Sequence, residues 1–169
     1  MNKIVLAALL SSFVAVPAIA ADTGYYVGVK LGFNTVGASN SGAFGAVGGY
    51  TIGPNFALEL GYTNLGSILD SVANDTANFS AVELSAVASF WVIQQYFLFG
   101  KLGIANTTVT GLGLTGVNRL APTYGLGIHY NVMPAVVVRY GWDHYGFGDD
   151  LTWVRGNSNL YSVTGLFKF

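Results

Sequence analysis

The sequence predicts an all-β fold, an eight-stranded antiparallel up-and-down barrel, on three observations. Hydrophobicity alternates with a period of two along nearly the whole chain, eight segments of about ten residues carry it, and the connections alternate between short and long. Composition agrees. Only 9% of residues are charged and 52% are apolar, whereas a soluble surface carries about 25–35% charged residues. Beyond the N-terminus no stretch approaches the ~20 apolar residues of a spanning helix. The 23 glycines, 11 phenylalanines and 10 tyrosines favour strands and turns.

The first twenty residues, "MNKIVLAALLSSFVAVPAIA", read as a secretory signal peptide. A lysine precedes an apolar core from Ile4 to Val16, and small Ala18 and Ala20 match the pattern of a signal peptidase. The core is too short for an anchor, and Ser11 and Ser12 interrupt it. The expected mature chain is a barrel domain over 21–169.

In the first strand Tyr25, Val27, Val29, Leu31 and Phe33 share one face, and Tyr26, Gly28, Lys30 and Gly32 the other. Strands two to four fall near 43–52, 56–65 and 80–92. In the fifth, Lys101 sits with Phe97, Phe99 and Gly103, opposite Leu98, Leu102 and Ile104. In the sixth, Tyr124, Leu126, Ile128 and Tyr130 oppose Thr123, Gly125, Gly127 and His129. In the seventh, Val136, Val138, Tyr140 and Trp142 oppose Val137, Arg139, Gly141 and Asp143. The eighth sets Tyr161, Val163, Phe167 and Phe169 against Ser162, Thr164, Leu166 and Lys168. Short turns fall at 53–55, 93–95 and 132–134. Longer polar or glycine-rich loops fall at 34–42, 66–79, 106–119 and 144–159, the layout of an outer-membrane barrel.

Alternation alone does not separate a membrane barrel from a soluble ligand-binding barrel, because both have one apolar face. Three features favour apolar-out: a thinly charged mixed face suited to a crowded lumen, the export signal with the loop asymmetry, and aromatics near strand ends. Tyr25, Tyr50, Phe56, Tyr96, Tyr130 and Phe167 would form the periplasmic girdle, and Phe33, Phe44, Tyr62, Tyr124 and Trp142 the outer one.

With that orientation Glu59 points into the lumen. It lies five residues above the turn at Pro54, and Arg139 lies five residues above the turn at Pro134. They sit at equal height on the third and seventh strands, which face each other, so an ion pair is expected. His129 should neighbour Arg139. Lys30 and Lys101 add positive charge, and Glu83 and Asp143 should lie nearer the outer mouth. The set reads either as a satisfied polar core or as a gate whose pair opens to small solutes.

Other chemistry has little support. Cysteine is absent and the net charge is −1, which excludes disulfides and thiolate sites and leaves no basic stripe for nucleic acid. "DHYGFGDD" (143–150) lacks metal-ligand spacing, so no metal or cofactor is expected. An enzyme acting on lipid A or peptides would need a histidine with a partner at the outer rim. His144 beside Asp143 is the candidate, but adjacent strand residues point to opposite faces.

The chain resembles the transmembrane domain of the OmpA-type (OmpA/OmpX-like) small outer-membrane barrels. The resemblance rests on "YYVGVKLGF", "GAVGGYTIGPNFALELGYTNLG" and "APTYGLGIHYNVMPAVVVRYGW". It implies a central lumenal glutamate–arginine pair at Glu59 and Arg139. Family members exchange this pair with a second lysine and glutamate; those positions here are Val87 and His129, so the exchange partners are not carried over. The resemblance also implies that Tyr161, Val163, Phe167 and terminal Phe169 are similar to the signal read by the barrel-assembly machinery.

The expectation is a monomeric barrel in the outer membrane of a Gram-negative bacterium, embedded in lipid and lipopolysaccharide, with a structural or surface-interacting role. A low-conductance gated passage is the alternative function. The long loops, including Trp153, could take host or phage surface ligands.

Overall fold

The computed structural model describes residues 23–36, 39–70, 75–111, 114–146 and 158–169. The leader and Trp153 lie outside the described residues. The strands are β1 (Thr23–Val36), β2 (Ser39–Ile52), β3 (Phe56–Asp70), β4 (Asp75–Ile93), β5 (Tyr96–Gly111), β6 (Leu114–Met133), β7 (Val136–Tyr145) and β8 (Ser158–Lys168). Each pairs antiparallel with the next, and β8 returns to β1 through pairs such as Val27 with Phe167, closing the barrel. Closure gives the membrane-embedded backbone partners on both sides of every strand, which an open sheet in hydrocarbon lacks.

The short connections are tight. Gly53, at φ 109°, starts the one between β2 and β3, and Gln94, at φ 48°, occupies the one between β4 and β5. Pro134 and Ala135 alone separate β6 from β7, so this turn falls later than 132–134.

All strands but β7, which has 10 residues, run longer than the predicted ten, up to 20 in β6. Most of the segments expected as long loops are strand: β3 and β4 continue to Asp70 and from Asp75, and β5 and β6 to Gly111 and from Leu114. The physical reason is a change of solvent. Within the membrane belt the outward residues are apolar, as with Leu84 at 53% exposed, and the inward ones polar, as with Glu83 and Ser85. Further out on the same strand, inward Ala77, Phe79 and Ala81 are buried while Thr76 and Asn78 face outward. Past the lipid boundary the outside is water, so outward threonines and asparagines replace leucines and the segment looks like a polar loop. Cross-strand bonds tie these extensions: Thr108 Oγ1 donates to Asn118 Oδ1 at 2.7 Å, and Thr35 Oγ1 to Asn40 Oδ1 at 2.9 Å.

Tyr25, Phe33, Phe44, Tyr50, Phe56, Tyr62, Tyr96 and Tyr124 all have exposed rings, and Tyr130, Trp142 and Phe167 are half-buried. Ring pairs mark both ends: Tyr25 with Tyr50 and Tyr96 with Tyr130, each 4.8 Å between centroids, and Phe33 with Tyr161 at 5.4 Å. Phe90 and Trp91, also exposed, belong to the end of β4 beside the short turn and were not among the predicted girdle residues.

Candidate functional site in the barrel lumen

The lumen is filled in layers. The lower charged layer starts from three residues in one cross-strand row, Tyr26 on β1, Gly49 on β2 and Glu59 on β3. Gly49 is required there: a Cβ would collide with the Tyr26 ring, which lies flat across it. The phenol thereby reaches past β2 and donates to Glu59 Oε1 at 2.6 Å. From the opposite wall Arg139 Nη1 donates to the same oxygen at 2.6 Å. Glu59 is 2% exposed, so these charge-assisted bonds replace water entirely.

Arg139 is itself positioned by Phe99. That ring crosses over Gly127 of β6 and Gly141 of β7, whose absent Cβ atoms would lie 2.7 and 2.9 Å from it. The guanidinium then rests 4.7 Å from the ring centroid, a cation–π contact. His129 is the register partner of Arg139 and stacks on Phe97 at 4.8 Å.

The upper charged layer comprises Lys30, Lys101, Glu83 and Asp143, all buried. Lys101 Nζ lies 2.8 Å from Glu83 Oε1 and 2.8 Å from Asp143 Oδ1. Lys30 Nζ lies 3.1 Å from Asp143 Oδ2 and 3.7 Å from Glu83 Oε1. Two cations and two carboxylates thus alternate around a closed ring. Lys101 lies directly across from Val87, so it supplies a second lumenal lysine one strand away from the position where the resemblance would place one. The gap between the two charged layers is about 10 Å³, roughly the volume that holds one water.

Above the ring the described part of the lumen is mainly apolar, with Asn34, Thr107, Thr123 and Ser158 buried among the apolar side chains. Leu65, Phe79, Ala105, Val109, Tyr145 and Leu160 belong to one buried cluster, several of them with no exposed surface. The expected polar core around Glu59 and Arg139 occupies the middle of the lumen, and a mainly apolar plug occupies the outer part of the described residues. Among these side chains Asn34 Nδ2 donates to the Leu65 carbonyl at 3.1 Å, and Ser158 Oγ donates to Asn34 Oδ1. Tyr26, Phe99 and Asn34 were missed from the sequence. The signal that could have found Tyr26 and Phe99 is a bulky lumenal ring level with a glycine on the adjoining strand.

Below Glu59 and Arg139 the lumen opens into a vestibule of about 120 Å³ at the short-turn end. His129, Arg139 and Lys168 all line it.

Asp143 and His144 do point to opposite faces. Asp143 joins the lumenal ring, while His144 stacks outside on Tyr124 at 4.7 Å, and Asn159 Oδ1 lies 3.1 Å from its Nδ1. Among the described residues no group of histidines and acids is placed to hold a metal ion. Of the C-terminal signal residues, Tyr161 and Val163 face outward, and Phe169 stacks on Tyr25 at 6.4 Å while its N–H bonds the Tyr25 carbonyl.

Solved structures with the same architecture share little sequence. Neisserial surface protein A is 18% identical, with a TM-score of 0.61 over 88% of this chain and 98% of that one. The N-terminal barrel of OprF from Pseudomonas aeruginosa is 15% identical, with a TM-score of 0.60 over 87% and 99%. Ail, the attachment invasion locus protein of Yersinia pestis, is 15% identical, with a TM-score of 0.59 over 87% and 97%. Ail has also been solved in complex with the heparin analogue sucrose octasulfate. No curated protein matches the sequence. The model of the outer membrane protein beta-barrel domain matches residues 6–166, nearly the full length. The chain belongs to that family of outer-membrane barrels.

Proposed function

We propose that this protein is a non-conducting, monomeric outer-membrane scaffold that presents its long outer hairpins to ligands outside the cell, without enzymatic turnover. The observation that carries the reading is the layered lumen. A solute entering from the vestibule would have to part Glu59 from Arg139, then a ring of four paired charges, then an apolar plug. Opening a single buried pair costs several kcal/mol, and here two charged layers and a mainly apolar segment lie in series. The heparin analogue bound by Ail, a barrel of the same fold, supports a search for anionic ligands at the outer hairpins. Biogenesis through the barrel-assembly machinery, using the C-terminal aromatic pattern after removal of the leader, completes this reading.

Planar-bilayer recording tests it. The expected result is an absence of conductance steps, both for the native protein and for Arg139→Ala, because the ring and plug remain above the altered layer. Regular steps from the native barrel would instead establish the gated passage. One observation keeps that second reading in view: the vestibule opens onto Arg139, whose side chain is 11% exposed, so the lower pair is the part of the barrier solutes reach first.

A further inference from the structure

The charges of the lumen balance layer by layer until the periplasmic end. Arg139 balances Glu59, and Lys30 and Lys101 balance Glu83 and Asp143. Lys168 is left over. It lines the vestibule, and no carboxylate among the described residues lies within ion-pair distance of it. It shares the vestibule with Arg139, a like charge. Arg139 spends Nη1 on Glu59, while its Nε is buried without a partner. Nδ1 of His129 is likewise buried and unpartnered. No aspartate or glutamate lines this cavity, since Glu59 stands behind Tyr26 and Arg139.

Lys168 thus faces the cavity without a counter-charge, beside an Arg139 whose own charge is committed to Glu59. A small oxyanion in the cavity would supply the missing counter-charge. From the lines of Arg139, Lys168 and His129 we infer that the vestibule is a binding site for a small oxyanion, of the size of inorganic phosphate or a short carboxylate, taken from the periplasmic side. The cavity of about 120 Å³ exceeds the roughly 10–15 Å³ that one water needs on the same measure several-fold, so a phosphate fits with some of its hydration. The pair below the ring then serves as the roof of a shallow site, a role that needs no opening of the lumen.

The test uses the folded barrel in a phosphate-free maltoside detergent, with inorganic phosphate and acetate titrated at constant ionic strength. NMR follows the His129 ring and the Lys168 side chain. Expected are saturable shifts of both, weakened about tenfold in Lys168→Met, the loss of one charge-assisted bond. His129→Leu should weaken binding by a smaller factor, and Arg119→Gln, at the other end of the barrel, should leave it unchanged. Heat-modifiable mobility on gels verifies that each variant is folded. Shifts that rise linearly without saturation, or that weaken equally in Arg119→Gln, overturn the site. So does a response to added phosphatidylglycerol with none to phosphate, which would assign the anion to lipid headgroups outside the lumen.

Discussion

The two ends of the lumen solve the same problem with opposite chemistry. The periplasmic end is open, lined by Arg139, His129 and Lys168, and large enough for several waters. The outer end is packed with Leu65, Phe79, Val109 and Leu160, each 2% exposed or less. Between them six charges are paired in two layers. The difference follows from what lies outside each end. Inside the membrane belt lipid takes the apolar side chains and the lumen must take the polar ones. Beyond the belt water takes the polar ones, and the projecting hairpins bury their apolar residues inward as any soluble sheet does. One chain therefore carries two opposite alternations, joined at the level of the upper ring.

The largest effect should come from breaking that ring. Lys101→Met removes the cation that touches both Glu83 and Asp143 and leaves two buried carboxylates to share Lys30. The expected loss is about 3–5 kcal/mol, as for a buried pair deprived of one partner. Urea unfolding of the lipid-refolded barrel, followed by tryptophan fluorescence, measures it. The double replacement Lys101→Met, Glu83→Gln should recover much of that loss, because Asp143 then pairs with Lys30 and no buried charge is left uncompensated. If the double variant is worse than the single one, the ring is held by packing rather than by charge balance.

Leu65→Ala probes the plug. Leu65 has no exposed surface, and its truncation should cost about 3 kcal/mol through lost burial and the cavity left behind. The more telling measurement is conductance. Neither Leu65→Ala nor Arg139→Ala alone should conduct, because each leaves another barrier in place. If Arg139→Ala conducts alone, the plug is not a seal and the contrast between the two ends loses its functional meaning.

These layers were unequally legible in the sequence. Glu59 and Arg139 were placed at one height from two prolines, because a strand's rise per residue is nearly constant and the short turns mark a common plane. His129 beside Arg139 followed from the same count. The plug was not legible, for Ala77, Phe79 and Ala81 lie where the outward residues turn polar, and alternation read with a single phase assigns such a stretch to a loop. Tyr26 and Phe99 were hidden for a different reason. Each acts over a glycine on an adjoining strand, a relation between strands that is fixed by register and not by local sequence.

Tyr26→Phe tests that cross-glycine reach at the periplasmic end. It removes one charge-assisted hydrogen bond to buried Glu59 while keeping the ring over Gly49. About 2 kcal/mol is the expected loss, smaller than either preceding change because Arg139 continues to hold the carboxylate. Gly49→Ala should do at least as much damage by displacing the ring itself. If Gly49→Ala is tolerated without loss, Tyr26 does not need its flat path, and the lower layer is more adaptable than its geometry implies.

The smallest effect belongs to the projecting hairpin. Thr108→Val keeps a β-branched side chain and removes only the 2.7 Å bond to Asn118. A cross-strand pair of this kind contributes roughly 0.2–1 kcal/mol, so global stability should fall by less than that of the other variants. Hydrogen exchange sharpens the point. The β5 and β6 amides near Thr108 and Asn118 should exchange faster, while those around Lys101 and Gly125 keep their protection. Such a result makes the hairpin a separately opening unit above a fixed membrane barrel, able to adapt its outer face to a ligand without disturbing the charged layers. Equal loss of protection at both levels would mean that hairpin, plug and ring unfold as one body, and that the outer face is as rigid as the lumen beneath it.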